Sequence, residues 1–157
     1  MDLIFNKVLY RSSKEFRGDL SKESFNNLFG YSSRYFAHLL YTGIKTSFKP
    51  VYKFIIDTGA FISYAPDLIL QFLERKPEFK GYIRGVAPQD DCRIRVKMLK
   101  LSFVLIDDYG NQSGKLMSWF ALHPFDKGPF LLGMKNILES VGIHKELNQD
   151  HLILHIQ

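Results

Sequence analysis

A carboxylate at the end of an apolar run constrains this chain of 157 residues more than any other feature. Phe54-Ile55-Ile56 reads as a buried strand and leads directly into Asp57-Thr58-Gly59-Ala60. Well downstream, a second apolar pair ends in glycine, Leu131-Leu132-Gly133. Burying an unpaired charge is costly, so a strand that ends this way delivers its carboxylate either to a turn or to a place where ionisation is used. Asp57 closing a strand with Thr58-Gly59 as ordinary turn chemistry is the plain reading.

Taken together, the two segments resemble the retropepsin-like aspartic peptidases, the retroviral-type members whose single lobe carries one Asp-Thr-Gly loop. Phe54 to Ala60 correspond to the strand and loop of that family. Leu131, Leu132 and Gly133 correspond to the segment that crosses beneath the loop. The resemblance spans about residues 35 to 157 and implies a mainly β fold: a closed β-barrel lobe with one or two short helices and a flap hairpin. It also implies that Asp57 is the acid/base carboxylate. Gly59 would let chain groups approach the carboxylate and substrate, Thr58 would hydrogen-bond across to a partner loop, and Ala60 would keep the adjoining wall small.

Peptide hydrolysis needs a nucleophilic water and a proton donor for the carbonyl oxygen at the same time. Two close carboxylates meet both needs because they share a proton and titrate as a coupled pair. This chain has one Asp-Thr-Gly. Asp126-Lys127-Gly128 has a charged side chain where Thr or Ser belongs, and Asp107-Asp108-Tyr109-Gly110 reads as a polar hairpin turn. The length is that of one domain, so the resemblance implies a homodimer with Asp57 beside its own copy on a two-fold axis. Leu152, Leu154 and Ile156 alternate with Ile153 and His155, which makes residues 151 to 156 the candidate strand for interleaving with a partner. Completing the chain's own sheet is the other use for it.

The remaining chain divides into an N-terminal extension, residues 1–30, outside the resemblance, and a lobe, residues 31–157. The extension is expected to hold one short amphipathic helix around Phe16 to Phe29 with Ser21 as a cap, and its loose polar composition suits self-trimming. Tyr35 to Tyr41, a Thr42-Gly43 turn and Val51 to Ile56 read as a hairpin. Pro66 and Asp67 suit the start of a helix through Leu73 that Pro77 stops. Gly81 to Asp91, followed by the alternating Arg93-Ile94-Arg95-Val96-Lys97, reads as the flap, with Gly85, Val86 and Ala87 as its candidate substrate contacts. Leu101 to Ile106 and Leu116 to Leu122 form a further hairpin, and Met134 to Ser140 a short helix closed near Gly142.

Two departures from the family pattern stand out. Phe61-Ile62 follow the loop where an aspartate is common, so substrate grip differs and these two residues are candidate apolar subsites. Met134 stands where arginine is frequent after the downstream glycine.

Composition excludes several classes. A hydrophobic fraction of 46% with 24% charge is that of a globular domain. No N-terminal signal pattern and no uninterrupted apolar span stand out, so a cytoplasmic location is the default. Cys92 is the only cysteine, which leaves no internal disulfide. The net charge of +5 arises in residues 1–56, with nine Lys/Arg against four Asp/Glu. Glu15, Asp19 and Glu23 interrupt the basic residues there, which argues against nucleic acid. Gly110 to Lys115 lacks phosphate-loop spacing, there is no Gly-x-Ser-x-Gly elbow, and His144, His151 and His155 lack a metal-site pattern, so neither metal nor cofactor is expected. The expected function is a homodimeric aspartic endopeptidase acting on extended polypeptide with apolar residues near the scissile bond. The alternative is a catalytically silent, dimerising interaction domain that binds a polyanion or protein through its basic N-terminal third.

Overall fold

The computed structural model describes residues 1–11, 21, 23, 31–43, 49–83, 93–133, 135, 137, 142–145 and 150–156. Twelve strands occur among them: β1 (Asp2–Asn6), β2 (Val8–Arg11), β3 (Tyr31–Arg34), β4 (Phe36–Tyr41), β5 (Val51–Ile56), β6 (Ser63–Pro66), β7 (Phe79–Ile83), β8 (Ile94–Ile106), β9 (Leu116–His123), β10 (Leu131–Leu132), β11 (Gly142–Lys145) and β12 (His151–His155). Pairing runs β4-β5-β10-β6-β9-β8, and β8 pairs back onto β4, so six strands close a barrel with β7 hanging from β8. The mainly β lobe with a closed barrel is the architecture that the sequence leads one to expect.

Alternation explains the closure. Leu99, Leu101, Phe103 and Leu105 of β8 are buried while Lys100, Ser102 and Val104 between them are only half-buried, the period of a strand with one wet face. Phe54, Phe103 and Phe120 are fully buried and meet edge to face, with Phe120 at 6.0 Å from Phe54 and 5.6 Å from Phe103. Each such aromatic pair adds about 0.5–1.5 kcal/mol beyond its burial. The hydroxyls of Tyr41 and Tyr52 are buried in this interior with no hydrogen-bond partner among the described residues. Burial first, and the nearby Tyr52 second, push the Tyr41 hydroxyl well above the ordinary tyrosine range.

The expected hairpin of Tyr35–Tyr41 with Val51–Ile56 is present as the β4–β5 pair, in register from Phe36↔Ile55 to Leu40↔Val51. Segments 93–97 and 101–106, read separately from sequence, are one continuous strand of 13 residues. The expected helix from Pro66 is a six-residue 3-10 turn, Asp67–Phe72, that ends before Pro77. It stops early because Leu73 is already extended and the Glu74 N–H is taken by the Gly43 carbonyl. Lys135 and Ile137 lie in a helical turn, as expected, while Gly142 opens β11 rather than closing a helix. Most of the helix expected in residues 16–29 lies outside the described residues; Glu23 is helical.

The two chain ends meet in the terminal sheet, and one expectation about them needs correction. Residues 2–6 pack onto the lobe: β1 pairs with β12 from Asp2↔His155 to Asn6↔His151, and Leu3 and Phe5 are fully buried in the main core. Trimming all of residues 1–30 would therefore remove two core side chains, each worth about 2–5 kcal/mol. The strand at 151–156 does not present an edge to a partner. β12 sits between β1 and β11 of its own chain, with Leu152 and Leu154 facing the core, so both of its edges are filled. No helix among the described residues is long and apolar enough to cross a membrane.

Candidate active site

Asp57 is positioned by the strand before it and by the segment beneath it. β10 inserts between β5 and β6, parallel to β5 through Leu131↔Ile55 and Leu132↔Ile56 and antiparallel to β6 through Leu131↔Tyr64. The Asp57 N–H donates to the Leu132 carbonyl at 3.0 Å, which ties the aspartate's backbone to this inserted strand. The chain then turns: the Ala60 N–H donates to the Asp57 carbonyl at 3.2 Å, and the Gly59 N–H donates to Asp57 Oδ1 at 2.9 Å.

Gly133 is the fulcrum of the arrangement. A Cβ built there would lie 2.3 Å from the Ile62 carbonyl oxygen and 3.0 Å from the Ala60 carbonyl oxygen, both backbone atoms that cannot swing aside. Glycine is thus required by close approach of two chain segments. Its N–H donates to Ser63 Oγ at 3.0 Å in a buried bond, and the Lys135 N–H donates to the Phe61 carbonyl at 2.9 Å. Leu131, Leu132 and Gly133 therefore lie directly under Asp57 to Ile62, the juxtaposition the sequence spacing implies.

Thr58 and Gly59 are exposed, Ala60 is half-buried, and Asp57 itself is half-buried. Asp57 borders a groove of about 300 Å³ with Ser33, Arg34, Ile55, Ile56 and Leu131. Nearby Tyr64 has its hydroxyl pushed up, first by burial and then by the negative charge of Asp57. Phe61 is 70% exposed, whereas Ile62 packs with Tyr64, Ile83 and Met98 on a small second cluster of Ile94, Val96 and Ala121. That cluster joins the aspartate loop to the β7–β8 hairpin. The stem of the expected flap is therefore in place, in register from Phe79↔Met98 to Ile83↔Ile94. Its tip, with Gly85, Val86 and Ala87, lies outside the described residues.

Sequence reasoning did not single out Ser63, Tyr64 or Arg34. An isolated serine at the start of a short strand carries no local mark of its role, and Arg34 comes to the groove only because β3 and β4 run past the end of β5. His151 bonds Asn6 at 3.0 Å and His155 bonds Asp2 at 2.6 Å, so both belong to the β1–β12 seam. Among the described residues no group of three or more His, Cys, Asp or Glu is placed to hold a metal.

No protein-family model matches this chain, and no curated protein matches it. Among solved structures it is similar to a retropepsin-like aspartic protease from Rickettsia conorii, at 16% identity and a TM-score of 0.50, over 98% of this chain and 90% of that one. The likeness covers barrel, inserted strand and terminal sheet together, and it shows that this chain has the fold of a retropepsin-like lobe.

Proposed function

We propose that this chain is one half of a homodimeric aspartic endopeptidase, with Asp57 and Asp57 of the partner subunit as the shared dyad. The observation that carries this reading is the state of Asp57. It ends an apolar strand and is locked by backbone through Leu132, yet it borders a groove with, among the described residues, the Gly59 N–H alone bonded to its carboxylate. The similar structure's printed description as an aspartic protease agrees with it.

Two copies of that side chain on a two-fold axis would hold one proton between them. The ionised member takes a proton from a bound water as its oxygen attacks the scissile carbonyl carbon. The protonated member gives its proton to the carbonyl oxygen. The first carboxyl then gives its proton to the leaving nitrogen while the second takes a hydroxyl proton from the tetrahedral carbon, so the C–N bond breaks, acid and amine leave, and the singly protonated pair is restored. No cofactor takes part. Phe61, exposed beside the loop, and Ile62, on the cluster under the hairpin, supply apolar surface for substrate side chains. The hairpin built on β7 and β8 would cover the bound chain and exclude water, with Gly85, Val86 and Ala87 at its tip. Because both edges of β12 are filled, the exposed Thr58-Gly59 loop is the pairing surface in this reading.

Incubating an unstructured polypeptide mixture with the parent and with Asp57→Asn, from acidic to neutral pH, tests the proposal. Cleavage by the parent alone, with activity per chain rising as protein concentration rises, is expected. Equal cleavage by both proteins sinks it. A parent that dimerises but cleaves at no pH would instead establish the silent interaction domain.

A further inference from the structure

The β7–β8 stem has two chemically opposite faces. Gly81 and Ile83 stand across from Val96 and Ile94, on the side packed over the aspartate loop. On the other side Lys80 stands directly opposite Lys97, and Tyr82 directly opposite Arg95. Three cations and a phenol thus occupy four neighbouring positions. Like charges placed opposite one another weaken a strand pair. Among the described residues one carboxylate answers them: Asp67 bonds Lys97 at 3.1 Å. Arg95 reaches only the Tyr82 hydroxyl, at 3.4 Å, and Lys80 has no ion pair among those residues. Lys80, Arg95, Lys97 and Asp67 line a cavity of about 310 Å³ with Leu122 and Pro124. β7 is also the end strand of its sheet, and no described residue hydrogen-bonds to its outer edge.

We propose that this edge and face together form a docking site, distinct from the groove at Asp57, for an extended segment of another polypeptide with acidic residues alternating with apolar ones. Added as a strand along Phe79–Ile83, such a segment would satisfy the free backbone groups of β7. Its alternate side chains would fall about 6.6 Å apart on each face. Those on one face meet Lys80 and the Tyr82–Arg95 pair, and those on the other meet Phe79, which is 53% exposed, and Ile83. Charge decides the occupant. A lysine on an edge strand is a common guard against unwanted strand pairing: it repels basic segments, gains nothing from neutral ones, and attracts one that brings carboxylates at the matching spacing. A polyphosphate backbone would use the cations but leave the β7 edge and Phe79 unanswered.

The Asp57→Asn protein, used so that binding is read without turnover, is titrated into a fluorescein-labelled peptide of alternating glutamate and valine. A peptide of the same composition with its glutamates and valines in separate blocks, and a single-stranded oligothymidylate, serve as comparisons. The alternating peptide is expected to bind at least about tenfold tighter than the block peptide, and to lose about tenfold or more in Lys80→Glu/Arg95→Glu. In the parent fold it should slow hydrogen exchange at residues 79–83. Equal binding of the two peptides, a tighter hold on oligothymidylate, or unchanged exchange along β7 would each overturn the proposal. The result stands apart from cleavage, since failure here leaves the peptidase reading untouched.

Discussion

Asp57 and Asp107 occupy the same sequence setting and have opposite fates. Each follows an apolar strand, Phe54-Ile55-Ile56 in one case and Val104-Leu105-Ile106 in the other, and each enters a turn containing glycine. Asp107 is 3% exposed and accepts four hydrogen bonds: from the N–H groups of Ile4, Tyr109 and Asn111 at 2.8–3.0 Å and from the Asn111 side-chain amide at 3.0 Å. Asp57 is half-buried and holds the Gly59 N–H at 2.9 Å. A carboxylate filled with internal donors is a fastener, here clamping β1 and the β8–β9 turn to the barrel. One with a single internal donor among the described residues, at the border of a groove, is the side chain that the proposed function uses.

Substitution should separate the two sharply. Asp57→Asn is expected to cut peptide cleavage by about a thousandfold, while the unfolding free energy from denaturant titration shifts by no more than about 0.5 kcal/mol. Asp107→Ala should do the reverse in kind, costing about 3 kcal/mol of unfolding free energy because it strands several buried N–H groups at once. If Asp57→Asn destabilised the chain as much as Asp107→Ala, the contrast would fail.

Gly133→Ala sharpens the same comparison from below. Its Cβ would press on the Ile62 and Ala60 carbonyls, so a loss of about 3 kcal/mol is expected, together with lost cleavage from a displaced loop. Thermal unfolding and a cleavage assay on the same preparation would show both, and an unaffected variant would refute the close approach.

Acid should act through Asp107. Burial works to raise its carboxyl, but the donors from Ile4, Asn111 and Tyr109 together outweigh that, and it lies below the ordinary value of 3.8. A depressed folded-state pKa means that the stabilisation is full above the unfolded value and is lost as pH falls through the folded one. Unfolding free energy of the parent should therefore decline below about pH 4, and Asp107→Asn should show a shallower decline in the same titration. The smallest effect concerns the barrel interior: Tyr41→Phe removes a buried hydroxyl without a partner among the described residues and should stabilise the chain by about 1 kcal/mol, read as a raised midpoint in urea.

The strands that build the site were legible because alternation and apolar runs are local signals. Tyr35–Tyr41, Val51–Ile56 and the strand after the flap fall where sequence puts them, and the Asp57 loop does meet Leu131–Gly133. Other features were not legible. The 3-10 turn at Asp67–Phe72 is set by a long-range bond from Glu74 to Gly43. The role of β1 depends on a partner strand about 150 residues away, and nothing in Leu3-Ile4-Phe5 names that partner. The use of β12 was misjudged for the same reason, since an amphipathic strand reads alike whether its edges meet its own chain or another.

By itself the sequence determined a strand-rich lobe, a carboxylate at the mouth of one strand, and a glycine that could pass beneath it. The first two follow from side-chain periodicity and from the cost of burying charge, both of which act over a few residues, and the third from the resemblance to the retropepsin-like pattern. Only the tertiary structure decided which of two look-alike aspartates is tied down, which strand edges are filled, and which face of the hairpin gathers cations. Those outcomes turn on hydrogen-bond donors and charges brought together from distant parts of the chain, and such meetings leave no mark in local sequence.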